Sequence, residues 1–139
     1  MTPQQAVLVQ ASFAKVAPIS GQAAALFYSR LFELSPQVLP LFKADLKEQG
    51  RKLMAALAFV VDGLSDLEGV LPAVRELAVR HVAYGVRPED YAPVGQALIW
   101  TLQKGLGEAF TPEVRDAWIA AYAALSEAMV AEAYGPAPV

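Results

Sequence analysis

LAVRHVAYGVRPEDYAPVGQAL, residues 77–98, contains His81, the only histidine in a chain of 139 residues. Drawn as a helix at 100° per residue, Leu67, Val70, Leu71, Val74, Leu77, Ala78 and His81 fall within an arc of about 120°, so the imidazole lies on the apolar stripe. A neutral imidazole there needs a partner. Two readings of the helix follow: a core histidine hydrogen-bonded to a backbone carbonyl, or a metal ligand.

What the chain lacks narrows the second reading. With no cysteine and one histidine, it cannot build the common zinc sites, a Cys/His nucleophile pair or a thiolate iron–sulfur site. A serine triad could borrow His81, but no Gly-x-Ser-x-Gly elbow is present. Haem is the metal site that asks the protein for a single imidazole, because the porphyrin supplies four iron ligands and needs an apolar slot. On this helix alone, core histidine and haem ligand both stay open.

The length is that of one domain able to bury its own core. An apolar content of 55% and a mean hydropathy of +0.35 are high for a globular chain. The longest apolar run, Leu53 to Val61, is nevertheless far too short to cross a bilayer. The excess is expected to be buried, in part against a ligand or another subunit. MTPQQAVLVQ at the amino terminus has no basic region and no clear cleavage site, so a cytoplasmic protein is expected. A net charge of −3, a pI near 5.1 and scattered Lys and Arg offer no basic stripe, which argues against nucleic acid as a partner.

Helix signals follow one another along the whole chain. Thr2-Pro3 with Gln5 reads as a capping box opening a helix through Val9, Phe13 and Val16. A second helix is expected from Ser20 to Leu34, with Ala24, Phe27, Tyr28, Leu31 and Phe32 on its apolar face. Ser35-Pro36 opens a short helix ending at Phe42. A polar segment then leads into a long helix on which Gln49, Leu53, Leu57, Val60 and Leu64 share a face. Ser65-Asp66 caps the helix that carries His81, with an irregular start at Gly69 and Pro72 and a C-cap at Gly85. Pro88 starts a helix with Tyr91, Val94, Leu98, Leu102 and Leu106 inward, closed by Gly107. Thr111-Pro112-Glu113 caps the last, with Val114, Trp118, Ala121, Leu125 and Met129 inward, and residues 134–139 are expected to fray. The fold class is all-α, about seven or eight helices in one domain over 1–139. Proline at the first turn of successive helices favours pairwise-crossed packing over an up-down bundle.

The chain at this point resembles a globin, and more narrowly the bacterial single-domain haemoglobins and the haem domain of flavohaemoglobins. The resemblance spans nearly the whole chain. It is carried by FYSRLFELSP with Tyr28, VLPLFK with Phe42, QGRKLM with Gln49 and Leu53, RHVAYGV with His81, DYAPVGQALI with Tyr91 and AWIAAY with Trp118, in that order and at compatible spacing. It implies the globin fold around one haem b pocket, with His81 as the iron ligand and Phe42 stacked on the porphyrin. Leu53, Leu57, Leu77, Val86, Tyr91 and Val94 are its implied cofactor-facing residues. Tyr28 and Gln49 would face the bound gas from the opposite side, with Leu53 pressing the ligand pocket. Lys52, Arg51 and Arg80 are candidates to pair the propionates, whereas Trp100 and Trp118 read as packing residues.

The implied function is reversible binding of dioxygen, with CO and NO as further ligands, for storage, delivery or scavenging. Two alternatives remain, a nitric oxide dioxygenase served by a separate reductase and a gas sensor. The expected state is a monomer or homodimer. In flavohaemoglobins a tyrosine and a glutamate join the proximal histidine in a hydrogen-bond network; Tyr91 matches the tyrosine, while the glutamate position falls on Ala133 with Glu132 beside it and Glu127 as another candidate partner.

Overall fold

The computed structural model describes residues 2–41, 45–83 and 87–134, apart from the side chains of residues 41, 67, 68, 83, 133 and 134. The expectations for Phe42, Gly85, Val86 and the tail 135–139 lie outside the described residues. Among those described there is no strand. The α-helices are α1 (Pro3–Val16), α2 (Ser20–Leu34), α3 (Leu46–Asp62), α4 (Leu67–Ala83), α5 (Tyr91–Leu106) and α6 (Pro112–Tyr134). No helix of the described residues is long and apolar enough to cross a membrane.

Local signals place most of the boundaries. The Thr2 hydroxyl accepts from Gln5 N (3.1 Å) while the Gln5 carboxamide accepts from Thr2 N (2.9 Å), completing the capping box. Asp45 caps α3 through Lys47 N (3.0 Å), and Thr111 caps α6 through Val114 N (3.3 Å). The short helix read from Pro36 is 3-10 over Pro36–Leu41. An α-helix would need the residue-40 N–H to bond the residue-36 carbonyl, and Pro40 has no N–H. Asp66 caps α4 through Gly69 N (3.3 Å), and where an irregular or kinked beginning is expected the helix is unbroken from Leu67 through Pro72. Pro72 faces solvent, so the carbonyl that loses its helical partner can be hydrated. α6 includes Tyr134, one residue into the stretch expected to fray.

Helix α2 packs chiefly on α5 and α3, α1 on α6, and α4 on α6. The interior accordingly forms two clusters. The larger joins α1, α2, α3, α5 and the first half of α6 around Val9, Leu31, Ala97, Leu102 and Trp118. The smaller holds Val74 and Ala78 of α4 against Met129 of α6, with Leu77 and Tyr91 packed on it. Leu125 touches both.

One buried polar link fastens α1 to α6. Trp118 Nε1–H donates to Ser12 Oγ (2.8 Å), and that hydroxyl donates back to the α1 carbonyls of Leu8 (2.8 Å) and Val9 (3.0 Å). Trp118 is 3% exposed, which fits the packing role read for it. Ser12→Ala strands the indole N–H in the core and is expected to destabilise the protein by about 1–3 kcal/mol, seen as a lower denaturant midpoint with unchanged slope.

Candidate functional site

His81 lies in the last turn of α4, half-buried. Its Nδ1 is 2.7 Å from the carbonyl oxygen of Leu77, one turn back. A carbonyl only accepts, so the neutral ring carries its proton on Nδ1 and its lone pair on Nε2. The ring of Tyr91, first residue of α5, stacks on the imidazole with centroids 6.5 Å apart and planes 26° apart.

Tyr91 is itself fixed from two sides. Ahead of it, the buried carboxylate of Asp90 accepts from Arg87 N (2.9 Å), closing the turn Pro88–Asp90. Behind it, the Tyr122 hydroxyl of α6 donates to the Tyr91 carbonyl (2.6 Å). The Tyr122 ring fits because residue 95 is glycine: a Cβ there would stand 2.6 Å from Tyr122 Cε2. Burial first, and then neighbouring Tyr91, push the Tyr122 hydroxyl far above the ordinary tyrosine range. Beside this pair an open groove of about 530 Å³ runs past Glu127 and Ser126. Glu132 points elsewhere: its carboxylate pairs with Arg75 Nε of α4 at 3.2 Å.

Tyr28, on α2, sits in the larger cluster and is 5% exposed. Phe32 stacks on it at 6.1 Å with 21° between planes, and Phe27 meets it edge-on at 5.3 Å. Burial pushes its hydroxyl up to about 12, so it remains a neutral donor at physiological pH. Gly50 of α3 comes directly under this ring. A Cβ at residue 50 would lie 3.9 Å from Tyr28 Cε2 and 2.9 Å from the Ala24 Cβ. Gln49, half-buried in the first turn of α3, thereby lies next to the point where α3 touches α2.

Two groups of expected site residues therefore assemble. Leu77 and Tyr91 pack on the smaller cluster and both contact His81; Tyr28 lies in the larger, with Leu53, Leu57 and Val94 packed on it, and Gln49 is half-buried beside Gly50. Phe42 and Val86 lie outside the described residues. Arg51 and Lys52 are exposed, and Arg80 pairs with Glu76 at 3.7 Å. Gly50 and Tyr122 escaped the sequence reading, and Phe32 is read there only as part of an apolar face. Phe32 and Tyr122 do repeat the apolar spacing of their helices, four residues after Tyr28 and Trp118, whereas nothing around Gly50 in the chain announces which helix crosses it. Among the described residues no group of three or more His, Cys, Asp or Glu could hold a metal ion.

Comparison with known proteins places this arrangement. Residues 25–129 match the family model described as Globin. A flavohemoprotein of Bordetella parapertussis is 36% identical over 134 residues, covering 94% of this chain and 33% of the relative. The chain thus spans about a third of the flavohemoproteins it matches. A neuroglobin of Tetraodon nigroviridis is 32% identical over 118 residues, covering 75% of this chain and 74% of the relative. Among solved structures, an engineered carbene transferase described as a putative nitric oxide dioxygenase from Rhodothermus marinus superposes with a TM-score of 0.87 at 25% identity, covering 96% of this chain and 94% of that one.

The raised tyrosine pKa values set a pH dependence. With Tyr28 at about 12 in the folded protein against 10.0 ordinarily, the unfolded chain loses this proton first. The contribution is whole below pH 10 and is lost as pH rises toward 12. Unfolding free energy, measured by denaturant titration of the protein without added ligand, is expected to fall across that window, and to fall less in Tyr28→Phe.

Proposed function

Since this chain belongs to the globin family, we propose that it binds haem b through His81 and reversibly binds dioxygen there for storage, delivery or scavenging. The observation that carries the reading is the match to the globin family over residues 25–129; the 2.7 Å contact of His81 Nδ1 with the Leu77 carbonyl supports it by favouring the tautomer whose Nε2 lone pair could ligate iron.

The residues present fit the group. An apolar macrocycle needs apolar surface near that nitrogen, and Leu77, Tyr91 and the smaller apolar cluster they pack on adjoin His81. Leu53, Leu57 and Val94 on one cluster and Leu77 on the other are half-buried rather than closed over, as expected of side chains that a planar ligand would cover. Held by His81, haem would supply an iron centre able to take a diatomic ligand. The chain supplies orientation and polarity. Leu77 and Tyr91 hold the imidazole against rotation, the Tyr28 hydroxyl donates a hydrogen bond to the diatomic ligand, and Gln49 offers a second donor from the edge of the pocket. Leu53 and Leu57 keep water from competing for those donors.

Nitric oxide dioxygenation with a separate reductase is the second reading, favoured by the flavohemoprotein relatives and by the name of the Rhodothermus marinus protein. Sustained consumption of nitric oxide when a reductase is supplied separates it from simple binding, which gives one equivalent and stops. The two readings share the same pocket residues.

Two substitutions test the pocket. His81→Gly is expected to lose haem binding, with free imidazole restoring it, read from the Soret band; retention without imidazole would move the ligand elsewhere. Tyr28→Phe is expected to speed dioxygen dissociation about 10- to 100-fold, the worth of one hydrogen bond of roughly 1.5 to 3 kcal/mol to a charged acceptor. Stopped-flow displacement by CO measures it, and an unchanged rate would remove Tyr28 from the ligand.

A further inference from the structure

We propose that Gly50 is a positioning residue that sets the reach of Tyr28 and Gln49 toward the ligand, by fixing how closely α3 crosses α2. The proposal rests on the reading of Tyr28 and Gln49 as ligand donors. Gly50 is buried, and a Cβ built on it would stand 2.9 Å from Ala24 Cβ, where ordinary contact begins at 3.4 Å. Both opposing atoms sit on helices, one being a β-carbon with no torsion of its own, so no side chain can turn away. Any side chain at residue 50 must push α3 off α2 by about 0.5 Å. Tyr28 lies one turn along α2 from Ala24 and Gln49 is next to Gly50, so both donors flank the contact. Tyr28 cannot follow α3 outward, because Phe32 and Phe27 hold its ring on α2. Widening the crossing therefore pulls Gln49 and Leu53 away from Tyr28 and admits water between them, without removing any polar group. A hydrogen bond weakens steeply with such displacement, and a misplacement near 1 Å costs about 10²-fold where geometry governs rate.

The test exchanges the two β-carbons. Gly50→Ala is expected to raise dioxygen dissociation about tenfold while CO dissociation, which depends little on donors, moves less than about twofold. Its CO complex should show a higher C–O stretching frequency, reporting a less polar donor field. Ala24→Gly combined with Gly50→Ala removes the opposing β-carbon and should return both the dissociation ratio and the stretching frequency to those of the parent. A merely structural role would lower the unfolding midpoint of the haem-free protein in Gly50→Ala and leave the O2/CO ratio and the frequency unmoved, which overturns the proposal, as does failure of the double variant to recover them. Should Gly50→Ala not fold, Ala24→Ser crowds the same crossing by a smaller step and takes its place in the same comparison. Tyr28→Phe run in parallel separates the two layers. An unchanged dioxygen rate there defeats the donor reading itself, whereas a large effect there with none in the crossing variants defeats only the role given to Gly50.

Discussion

A single hydrogen bond inside α4, from His81 Nδ1 to the carbonyl of Leu77, is the constraint to which the rest of the structure answers. The Leu77 oxygen has two lone pairs, and the helix uses one for the His81 backbone N–H while the ring takes the other. Imidazole and backbone thereby share one carbonyl, and the ring cannot swing without giving up that hydrogen bond. Such a hold is only as rigid as the helix that bears it. α4 is seated by Val74 and Ala78 on Met129 of α6, and Arg75 reaches Glu132 on the same helix. The ion pair is largely exposed, so it contributes at most a fraction of a kilocalorie to about 1 kcal/mol; the apolar contacts carry most of the seating.

The parted interior explains the apolar excess of the chain. A domain of this length that closed one continuous core would bury Leu53, Leu57, Leu77 and Val94 outright. Here each is only half-buried, and each forgoes on the order of 1 kcal/mol of transfer free energy relative to full burial. A planar apolar ligand set between the clusters recovers that surface. On the proposed reading, binding and stability are therefore linked: the folded state without its ligand is incomplete, and occupancy raises stability by mass action. Leu125 packs on both clusters, and α5 and α6 contribute residues to each.

Helix boundaries were legible because their causes are local. The Thr2–Gln5 capping box and the Thr111 cap each involve residues three apart in the chain, so a single sequence contains the whole interaction. Pro72 misled for the opposite reason, since whether a proline breaks a helix depends on whether the orphaned carbonyl meets water, which is set by what packs on the other side. The apolar stripe of α4 located His81, but its two alternatives, core residue or ligand, were not separable by periodicity. The Leu77 contact fits either alternative, and only the resemblance spread over the chain favours the ligand. Gly50 illustrates the limit: nothing beside it in the chain marks it, and only the crossing helix turns it into a point of contact.

The strength of the acceptor behind His81 bears on which chemistry the pocket favours. A carboxylate accepting from Nδ1, directly or through a tyrosine, would draw the proton away and raise electron donation from Nε2, which favours bond cleavage in a bound ligand. The nearest carboxylate on α6 by sequence is Glu132, and Arg75 holds it on the α4 surface at 3.2 Å. Residue 133, where flavohaemoglobins would place the glutamate, is alanine. The Leu77 carbonyl is neutral and a weaker acceptor than a carboxylate. On the proposed reading, the balance between holding and releasing the ligand would then rest more on Tyr28, which burial pushes up to about 12 and which stays a donor at physiological pH.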